Sequence, residues 1–472
     1  MELKSQSPQT TIQCYHSIVN GAAVKQLYQE FTPSSLNFSG KNLQSYNFER
    51  SIENFGGSFS FTVKEDIEKI NNPNVETLFM DKVQPLDIIV ISESGSENSI
   101  DFIGVVTTIS IGGVASNLNK VITVSGKSIE WLFLFYNINA DIGAVIFQNN
   151  EANKAFITDL ATKGGNDGYA MKDIVQSSIN AFRDRTAIRK TGNSAREASN
   201  YLIGEVIDYW FGDDYINASS DKFLYPISSN LFDSGKINVI DYIKKLLPPP
   251  VYEIFCEIND KNKPVLTFRE VPFSNPTTDY KIDANILTDF TQTRNCEEVY
   301  TAFLPYVEGS SQSPEFYLNL AKGQNLTKKG YNTAEKDLDK AKIYGYQLLT
   351  CSFCGYNSDE DSAKKSLDNI KSLSGKMKEW FSNMDEMYSG DLTIVNLTNE
   401  TNINTSVKKT RNARMGEWVS FAGGLFYITS EKHNWMFGDN PTINYQVIRG
   451  GDYSSGSFKP LKRISASYRE FE

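Results

Sequence analysis

The chain has 472 residues, of which 40% are hydrophobic and 12% aromatic, and its formal net charge is −10 at pH 7. A chain of this length divides into about three or four separately packed units, and its apolar content excludes a disordered protein. The negative charge argues against a protein that coats nucleic acid, because phosphate binding requires a concentrated positive surface. We expect the one basic cluster to be a solvated helix end and loop; it consists of Arg183, Arg185, Arg189 and Lys190.

The first 140 residues predict an arm followed by a β-rich unit. Residues 1–45 are polar and mixed, and we expect an irregular N-terminal arm there. Regular alternation begins near residue 46, and it places Phe59, Phe61 and Val63 on one face of a predicted strand. A three-strand meander follows, and residues 46–140 are therefore predicted to form a first small β-barrel.

The middle of the chain, residues 141–283, predicts a mixed α/β unit. Apolar residues recur at helical spacing near residues 175–182 and 202–209, which indicates two amphipathic helices. A third predicted helix stops at Pro248-Pro249-Pro250, since proline lacks the amide hydrogen and restricts the residue before it. A hairpin is predicted directly after these prolines, over residues 251–271.

Residues 284–450 predict a second β-barrel with a helical insertion over about residues 332–390. We expect the strand over residues 299–307 to open this barrel, and residues 343–351 form a further candidate strand. Residues 451–472 are expected to be a C-terminal tail.

A long helix is predicted inside this insertion, from about residue 359 to residue 387. Its apolar residues, which include Leu373, Met377 and Trp380, step by three and four and form one stripe to bury. Tyr388-Ser389-Gly390 is expected to end the helix, because glycine is common just past a helix end.

Two stretches about three hundred residues apart have the pattern of the same meander. Residues 86–124 and residues 416–447 each contain a short strand, a long strand and a third strand, separated by polar or glycine-containing turns. The predicted fold class is therefore α+β, with two similar antiparallel β-barrels in one chain and an α/β unit between them. Such a duplication typically serves a symmetric assembly rather than a reaction.

The cysteines predict neither a disulfide framework nor a metal centre. There are five of them, widely spread, and we expect free thiols. Cys351 and Cys354 form the single CxxC pair, but there is no second pair, and the chain has only two histidines to complete a zinc site. The N-terminus lacks the apolar core of a signal peptide, and the longest apolar run has only six residues, so neither secretion nor a membrane span is predicted.

The remaining polar motifs have structural explanations. His433 lies within the long strand of the second meander and His16 within the N-terminal arm, and neither belongs to a nucleophile motif. The acidic run at residues 359–361, Asp359-Glu360-Asp361, falls where a helix should begin, and acidic groups there oppose the helix dipole favourably. The glycine pairs match no phosphate-binding loop. No catalytic, cofactor-binding or metal residues are predicted, which favours a structural or binding component.

Motifs in both halves resemble one family. In the second meander, Phe426-Tyr427-Ile428 precedes His433 in one strand, and the next strand ends in Arg449-Gly450. In the first, Asp87-Ile88-Ile89-Val90 precedes Phe102-Ile103-Gly104. This order is similar to that of the baseplate hub proteins of contractile phage tails, whose closing strands often carry Tyr-Tyr-Val, then His, then Arg-Gly. The chain departs from the family at residues 85–87, where a glycine before the aspartate is missing.

The resemblance implies a non-enzymatic structural protein. Hub proteins of this kind are homotrimers in which each subunit supplies two tube-like barrels, so that three chains form a pseudo-hexameric ring that lines a channel. The implied partners are the tail tube protein ring, the central spike protein, the tape-measure C-terminus and the baseplate wedge proteins. The resemblance implies no cofactor, no membrane insertion and no sequence-specific nucleic acid. The implied location is the tail baseplate of a virion or phage-like particle, after synthesis in the bacterial cytoplasm.

The chain stops 22 residues after Gly450. We therefore expect the spike and any cell-wall hydrolase to be separate proteins. We also expect a basic C-terminal segment to dock the spike; its basic residues are Lys459, Lys462, Arg463 and Arg469.

Three alternatives remain open from the sequence. The first is the N-terminal hub module of a tail-tip protein from a non-contractile tail, which shares the ring design. The second is a cell-wall hydrolase that uses Cys351 or Cys354 together with His433. The third is a carbohydrate-binding β-rich protein, which the aromatic content would allow.

Overall fold

The computed structural model describes most of the chain in sixteen segments. These segments are residues 10–31, 41–66, 79–93, 100–112, 119–139, 169–186, 202–220, 222–223, 236–278, 280–282, 286–295, 297–308, 335–354, 372–396, 412–453 and 457–461. The predicted helix start at residues 359–361 lies outside the described residues, as do Arg189, Lys190 and the basic residues after position 461.

Strands dominate these segments. They are β1 (Thr11–Val19), β2 (Ala22–Phe31), β3 (Lys41–Ser51), β4 (Ser58–Asp66), β5 (Ile88–Ser92), β6 (Phe102–Gly112), β7 (Asn119–Ser128), β8 (Asn137–Asn139), β9 (Tyr169–Ala170), β10 (Ile216–Ala218), β11 (Lys222–Phe223), β12 (Lys236–Asn238), β13 (Tyr252–Ile258), β14 (Pro264–Glu270), β15 (Leu287–Thr293), β16 (Ala302–Glu308), β17 (Glu335–Lys336), β18 (Leu348–Cys354), β19 (Tyr388–Val395), β20 (Trp418–Phe421), β21 (Gly424–Met436) and β22 (Thr442–Gly451).

Helices occur mainly in the middle of the chain and in the later insertion. They are α1 (Phe79–Lys82), α2 (Met171–Thr186), α3 (Leu202–Phe211), α4 (Val239–Leu246), α5 (Leu338–Tyr344) and α6 (residues 372–381), with short 3-10 helices at Ile129–Phe135 and Met384–Glu386. None of the described helices is long and apolar enough to cross a membrane.

Twelve of the strands form one antiparallel sheet. Its order is β15-β19-β22-β21-β3-β4-β7-β6-β5-β1-β2, and β20 pairs with the start of β21. The fold is therefore α+β, as the sequence predicts. The strands of the two predicted barrels lie side by side in this single sheet, and no closed barrel is found among the described residues.

The sheet contains the predicted duplication, extended from three strands to five. Strands β3, β4, β5, β6 and β7, here called the N-repeat, follow the spatial order β3-β4-β7-β6-β5. Strands β15, β19, β20, β21 and β22, the C-repeat, follow the corresponding order β15-β19-β22-β21-β20. Both predicted meanders are thus confirmed, and each gains two further strands on the same side.

Two β-bulges occupy the same places in both repeats. In the long strands the register shifts between Val106 and Thr108 of β6, and between Ile428 and Ser430 of β21. In the first strands it shifts after Leu43 of β3 and after Leu287 of β15. A bulge inserts one residue into one strand and bends it locally, so coincident bulges mark equivalent backbones. They also align the repeats residue by residue.

Each repeat has its own apolar core on one face of the sheet. Phe59, Phe61 and Val63 are buried beneath the N-repeat, as their alternation predicts. The positions of Phe61 and Val63 in β4 are taken in β19 by Leu392 and Ile394, which are buried beneath the C-repeat. The period of two separates a core face from a polar face in strands such as β4, β7, β19 and β22. Strand β5 is buried on both faces, because Ile89 belongs to the N-repeat core and Ile88 packs into a further core with the middle of the chain.

The middle of the chain contains the predicted helices and hairpin. Helices α2 and α3 cover the two amphipathic stretches, and α4 is followed by Pro248-Pro249-Pro250. Asn238 caps α4 by accepting a hydrogen bond from the Asp241 amide. Strands β13 and β14 form the predicted hairpin, and β10 joins β14 in parallel.

The N-terminal segment is more regular than we expected. Instead of an irregular arm, residues 11–31 form the hairpin β1–β2, which extends the large sheet by pairing β1 with β5. The turn is Asn20-Gly21, and both residues have positive φ. This is the turn geometry that two-residue hairpins favour.

Two expectations for the second β-unit are wrong. Strand β16, expected to open it, pairs instead with β17 and β18 in a separate three-stranded sheet, and β15 opens the C-repeat. Tyr388-Ser389-Gly390 belongs to β19 rather than to a helix end, since α6 ends at residue 381. Gly390 is required there because a Cβ atom would stand 1.9 Å from the Thr291 carbonyl oxygen on β15.

Candidate functional site

The two repeats meet where β21 pairs with β3, and this contact is here called the junction. Seven residue pairs run from Ser430 opposite Ser51 to Met436 opposite Ser45. Alternate residues of a strand share a face, so every second pair of the junction faces the core. These core-facing pairs are Glu431 with Arg50, His433 with Phe48, and Trp435 with Tyr46.

Direct contacts hold each of these pairs together. Arg50 and Glu431 form a buried ion pair, in which Arg50 Nε lies 2.8 Å from Glu431 Oε1. The His433 ring stacks on the Phe48 ring, with 4.2 Å between centroids and 17° between planes. Such cross-strand contacts are the main source of pairing specificity in a sheet.

Glu93, directly after β5 in the N-repeat, contacts the junction through its carboxylate. Glu93 Oε2 lies 2.7 Å from His433 Nδ1 and accepts a hydrogen bond of 2.6 Å from Asn396 Nδ2. Its other oxygen accepts a 2.9 Å hydrogen bond from the Tyr46 hydroxyl. Glu93 thus connects both repeats, because Tyr46 belongs to β3 and His433 to β21.

A third ion pair completes the cluster. Arg414 lies 3.3 Å from Asp101 and also donates a hydrogen bond to the Ile258 carbonyl in the middle of the chain. The junction cluster therefore contains three cations and three anions in matched pairs: Arg50 with Glu431, His433 with Glu93, and Arg414 with Asp101. Balanced and hydrogen-bonded charges of this kind are what a protein interior tolerates.

The buried environment changes the pKa of several of these groups. Burial alone would raise the pKa of Glu431, but the Arg50 guanidinium brings that pKa below its ordinary value. Burial would lower the pKa of His433, yet the charge of Glu93 raises it above its ordinary value. Burial and the nearby charge of Glu93 raise the pKa of Asp101. The raised pKa favours the protonated, ion-paired form of His433, which fits a structural contact better than a general base.

Over the central strands of both repeats, the face of the sheet opposite the cores is polar. Its residues include Ser60, Thr62, Thr123 and Ser125 in the N-repeat, and Asp391, Thr393, Asn444 and Gln446 in the C-repeat. Equivalent positions even make equivalent contacts, because Thr62 hydrogen-bonds Thr123 across β4 and β7, and Thr393 hydrogen-bonds Asn444 across β19 and β22. The central strands of each repeat therefore share a hydrophilic face.

The sequence-predicted candidates are not brought together. Cys351 is buried and contacts the Pro248 carbonyl, and burial raises the pKa of its thiol to about 12, so that the reactive thiolate is disfavoured. His433 lies in the junction cluster, with Glu93 and Phe48 as its neighbours. The proposed pair of Cys351 and His433 therefore has no counterpart in the structure. The side chain of Cys354 lies outside the described residues.

The other candidates also have local structural partners. His16 lies on β1, where it contacts Asp87 and stacks on Tyr28. Arg183, at the end of α2, forms an ion pair with Asp208 of α3. Within the described segments, no group of three or more His, Cys, Asp or Glu side chains is placed to hold a metal ion.

Sequence reasoning missed the junction cluster because its members come from distant segments. Arg50, Glu93 and Arg414 carry no shared motif, and only the pairing of β21 with β3 brings them together. His433 was noticed only as a member of a strand. The one available signal was a set of charged residues, such as Glu431, at positions where the alternation predicts a buried side chain.

Comparisons with known proteins return matches among solved structures. No family model matches the sequence, and no curated protein matches it. A tail protein from Neisseria meningitidis MC58 is similar over 93% of this chain and 96% of its own, with 9% identity and a TM-score of 0.47. The 43 kDa tail protein of prophage MuSo2 from Shewanella oneidensis is similar over 93% and 98%, with 9% identity and a TM-score of 0.44.

A type VI secretion protein is also similar. The E. coli c3393 protein, described as a component of that system with structural similarity to the T4 bacteriophage tail proteins gp27 and gp5, matches 91% of this chain and 78% of its own, with 8% identity and a TM-score of 0.39. These three structures are described as tail proteins or as a type VI secretion component. At these identities they assign no role to any residue.

Proposed function

We propose that this chain is the non-enzymatic baseplate hub of a phage tail or phage-like contractile particle. As a homotrimer it forms a pseudo-hexameric ring, which joins a sixfold tail tube to a threefold central spike. Its partners are then the tube protein, the spike, the tape-measure C-terminus and the baseplate wedge proteins.

The duplication of five strands within one sheet carries this proposal. Two equivalent repeats in one chain, multiplied by three chains, give six repeats around a ring with threefold symmetry. The buried ion pairs of the junction support a fixed relation between the two repeats, since separating them would expose or unpair charges such as Glu431 and Arg50. A fixed pair of repeats is the building block that such a ring needs.

The two ends of the sheet differ in a way that fits two kinds of partner. The long strands β6 and β21 end at Gly112 and Met436, and each returns through a short connection to β7 or β22. At the opposite end, β7 leads into the middle of the chain after Ser128, and β15 leads into the later insertion after Thr293. The hairpin end is thus repeated in both halves, whereas the two insertions at the other end differ from each other, so that each occurs once per chain.

We therefore assign the hairpin end to the sixfold tube and the insertion end to the threefold side. The tip of the β21–β22 hairpin supports this orientation, because Met436 and Phe437 are 60% and 67% exposed. Two adjacent exposed apolar side chains give this tip an apolar surface that another protein could cover. The polar face of the sheet lines the channel in this arrangement, with the two apolar cores outside it.

Solution mass and particle images test the proposal directly. The full chain is expected to have the mass of a trimer in multi-angle light scattering, and to show a ring with six similar lobes in negative-stain top views. A protein that stays monomeric at high concentration contradicts the proposal. The inserted segments are assigned to one end of the ring, where they should give features with threefold symmetry. A ring with six identical lobes and no such threefold features would contradict this assignment.

A further inference from the structure

The junction inside the chain is a template for a second junction between chains. Because their bulges coincide, the repeats align residue by residue: Ser110 of β6 takes the position of Lys432 in β21, and Thr293 of β15 takes the position of Glu49 in β3. Within the chain, Lys432 stands directly opposite Glu49. The equivalent residues are Ser110 on β6 and Thr293 on β15. Neither of these strands has a described partner that corresponds to the pairing of β21 with β3.

Both of these strands have an open edge. On one side β6 pairs with β7, but on the other β5 covers it only as far as Val105, and the described residues provide no strand beyond that point. Strand β15 pairs with β19 alone, and its outer edge has no described neighbour. Unpaired edges of this length are the places where sheets add another strand.

We propose that β6 of one subunit pairs antiparallel with β15 of the next, in the register of the internal junction. Ser110 then lies opposite the partner subunit's Thr293, and Ile111 lies opposite the partner subunit's Gln292. This interface rests on the proposed trimer. With this pairing, junctions within a chain alternate around the ring with junctions between chains, and both kinds have the same geometry. The head-to-tail contact between subunits then closes into a ring after three chains.

The side chains at both edges fit this pairing. Ile111 takes the position of the buried His433, yet it is 51% exposed in the single chain and would be covered on pairing. Gln292 takes the position of Phe48. The amide oxygen and nitrogen of Gln292 are shielded from solvent but have no hydrogen-bond partner among the described residues. Covered polar atoms normally find partners, which an arriving strand brings.

Paired cysteines test the register. In a Cys296→Ser background, which removes the native thiol near β15, Ser110→Cys is combined with Thr293→Cys. Directly opposite residues lie within disulfide reach, whereas residues two positions apart do not. Mild oxidation is expected to give covalent dimers and trimers on non-reducing gels. The combination of Ser110→Cys with Thr291→Cys, out of register by two residues on the same face, is expected to stay largely uncrosslinked.

The internal junction provides the matched control. Lys432→Cys with Glu49→Cys has the equivalent geometry within one chain, so it should form an intramolecular disulfide without any covalent dimer. If the control pair closes and the protein is a trimer, but Ser110 and Thr293 do not crosslink or Thr291 crosslinks equally well, the register is wrong and the trimer still stands. A monomer under all conditions overturns both the trimer and this interface.

A second variant does not depend on disulfide geometry. Ile111→Asp places a charge at the centre of the predicted interface, where pairing would bury it, and Ile111 is exposed enough for the single chain to fold with the change. The variant is expected to shift the mass from trimer to monomer, with an unchanged circular dichroism spectrum. Met436→Asp, at a somewhat more exposed site at the hairpin tip, should leave the trimer intact. A trimer that tolerates Ile111→Asp contradicts the interface.

Discussion

At the scale of single residues, the Arg50–Glu431 pair is the part of the junction most sensitive to change. Glu431→Gln leaves the Arg50 cation buried without a counter-charge, and Arg50→Met leaves the carboxylate in the same state. Each is expected to lower the free energy of unfolding by about 3–5 kcal/mol. The double variant Arg50→Met/Glu431→Met should lose less free energy of unfolding than the two single variants together, because no uncompensated buried charge remains. Urea denaturation measures all three.

The exposed pair of Asp339 and Lys342 on α5 serves as the control for that experiment. It is close to fully solvated, and exposed ion pairs contribute little to stability. Asp339→Asn should therefore leave the urea midpoint unchanged. If the Arg50 and Glu431 variants behave like Asp339→Asn, the junction is not held by its ion pairs.

His433 gives the junction a pH dependence with a definite sign. Its pKa is raised above the ordinary value of 6.5. A raised folded-state pKa means that the protonated imidazolium contributes stability fully below pH 6.5, and that this contribution is lost as the pH rises through the folded-state pKa. The free energy of unfolding should therefore fall as the pH rises from 6.5. His433→Gln should remove the part of this decrease that comes from deprotonation of the imidazolium.

The second histidine provides the comparison for this measurement. His16→Gln retains His433 and its contact with Glu93, so it should keep the part of the decline above pH 6.5 that His433→Gln removes, as followed by urea denaturation at several pH values. An identical decline in wild type and His433→Gln would show that the histidine does not carry the charge assigned to it.

At the scale of elements, the sequence predicts best where one face of a strand is apolar. The alternation of Phe59, Phe61 and Val63 identifies β4, and the meanders identify both repeats, because a buried face imposes a period of two. Strand β15 has the sequence LTDFTQT, in which only Leu287 and Phe290 are apolar. A strand at an open edge of the sheet does not need a regular alternation of apolar residues, so the sequence does not predict β15.

The two other differences have local physical causes. The N-terminal hairpin carries polar residues on its exposed face, but Asn20-Gly21 is a strong two-residue turn signal that the composition of the segment obscured. Gly390 looks like a helix terminator, yet its role depends on the approach of β15 to β19. A close contact between distant strands cannot be deduced from neighbouring residues. The charged junction cluster was hidden for the same reason.

At the scale of the whole molecule, the proposed ring has two chemically different ends. The hairpin end presents Met436 and Phe437 at a position that both repeats reach, and the insertion end presents exposed apolar residues on α5, including Ile343. If the hairpin end meets the tube, apolar contacts there should contribute to binding, because covering them removes apolar surface from water.

Phe437→Ser and Ile343→Ser form a matched pair for this question, since the side chains are 67% and 75% exposed and neither change should affect folding. Phe437→Ser is expected to weaken co-sedimentation with assembled tail tubes by about tenfold, the effect of losing roughly 1.4 kcal/mol of contact energy. Ile343→Ser should sediment with tubes as the wild type does, and both variants should remain trimers. The reverse result would mean that the insertion end faces the tube and that the ring is oriented the other way in the tail.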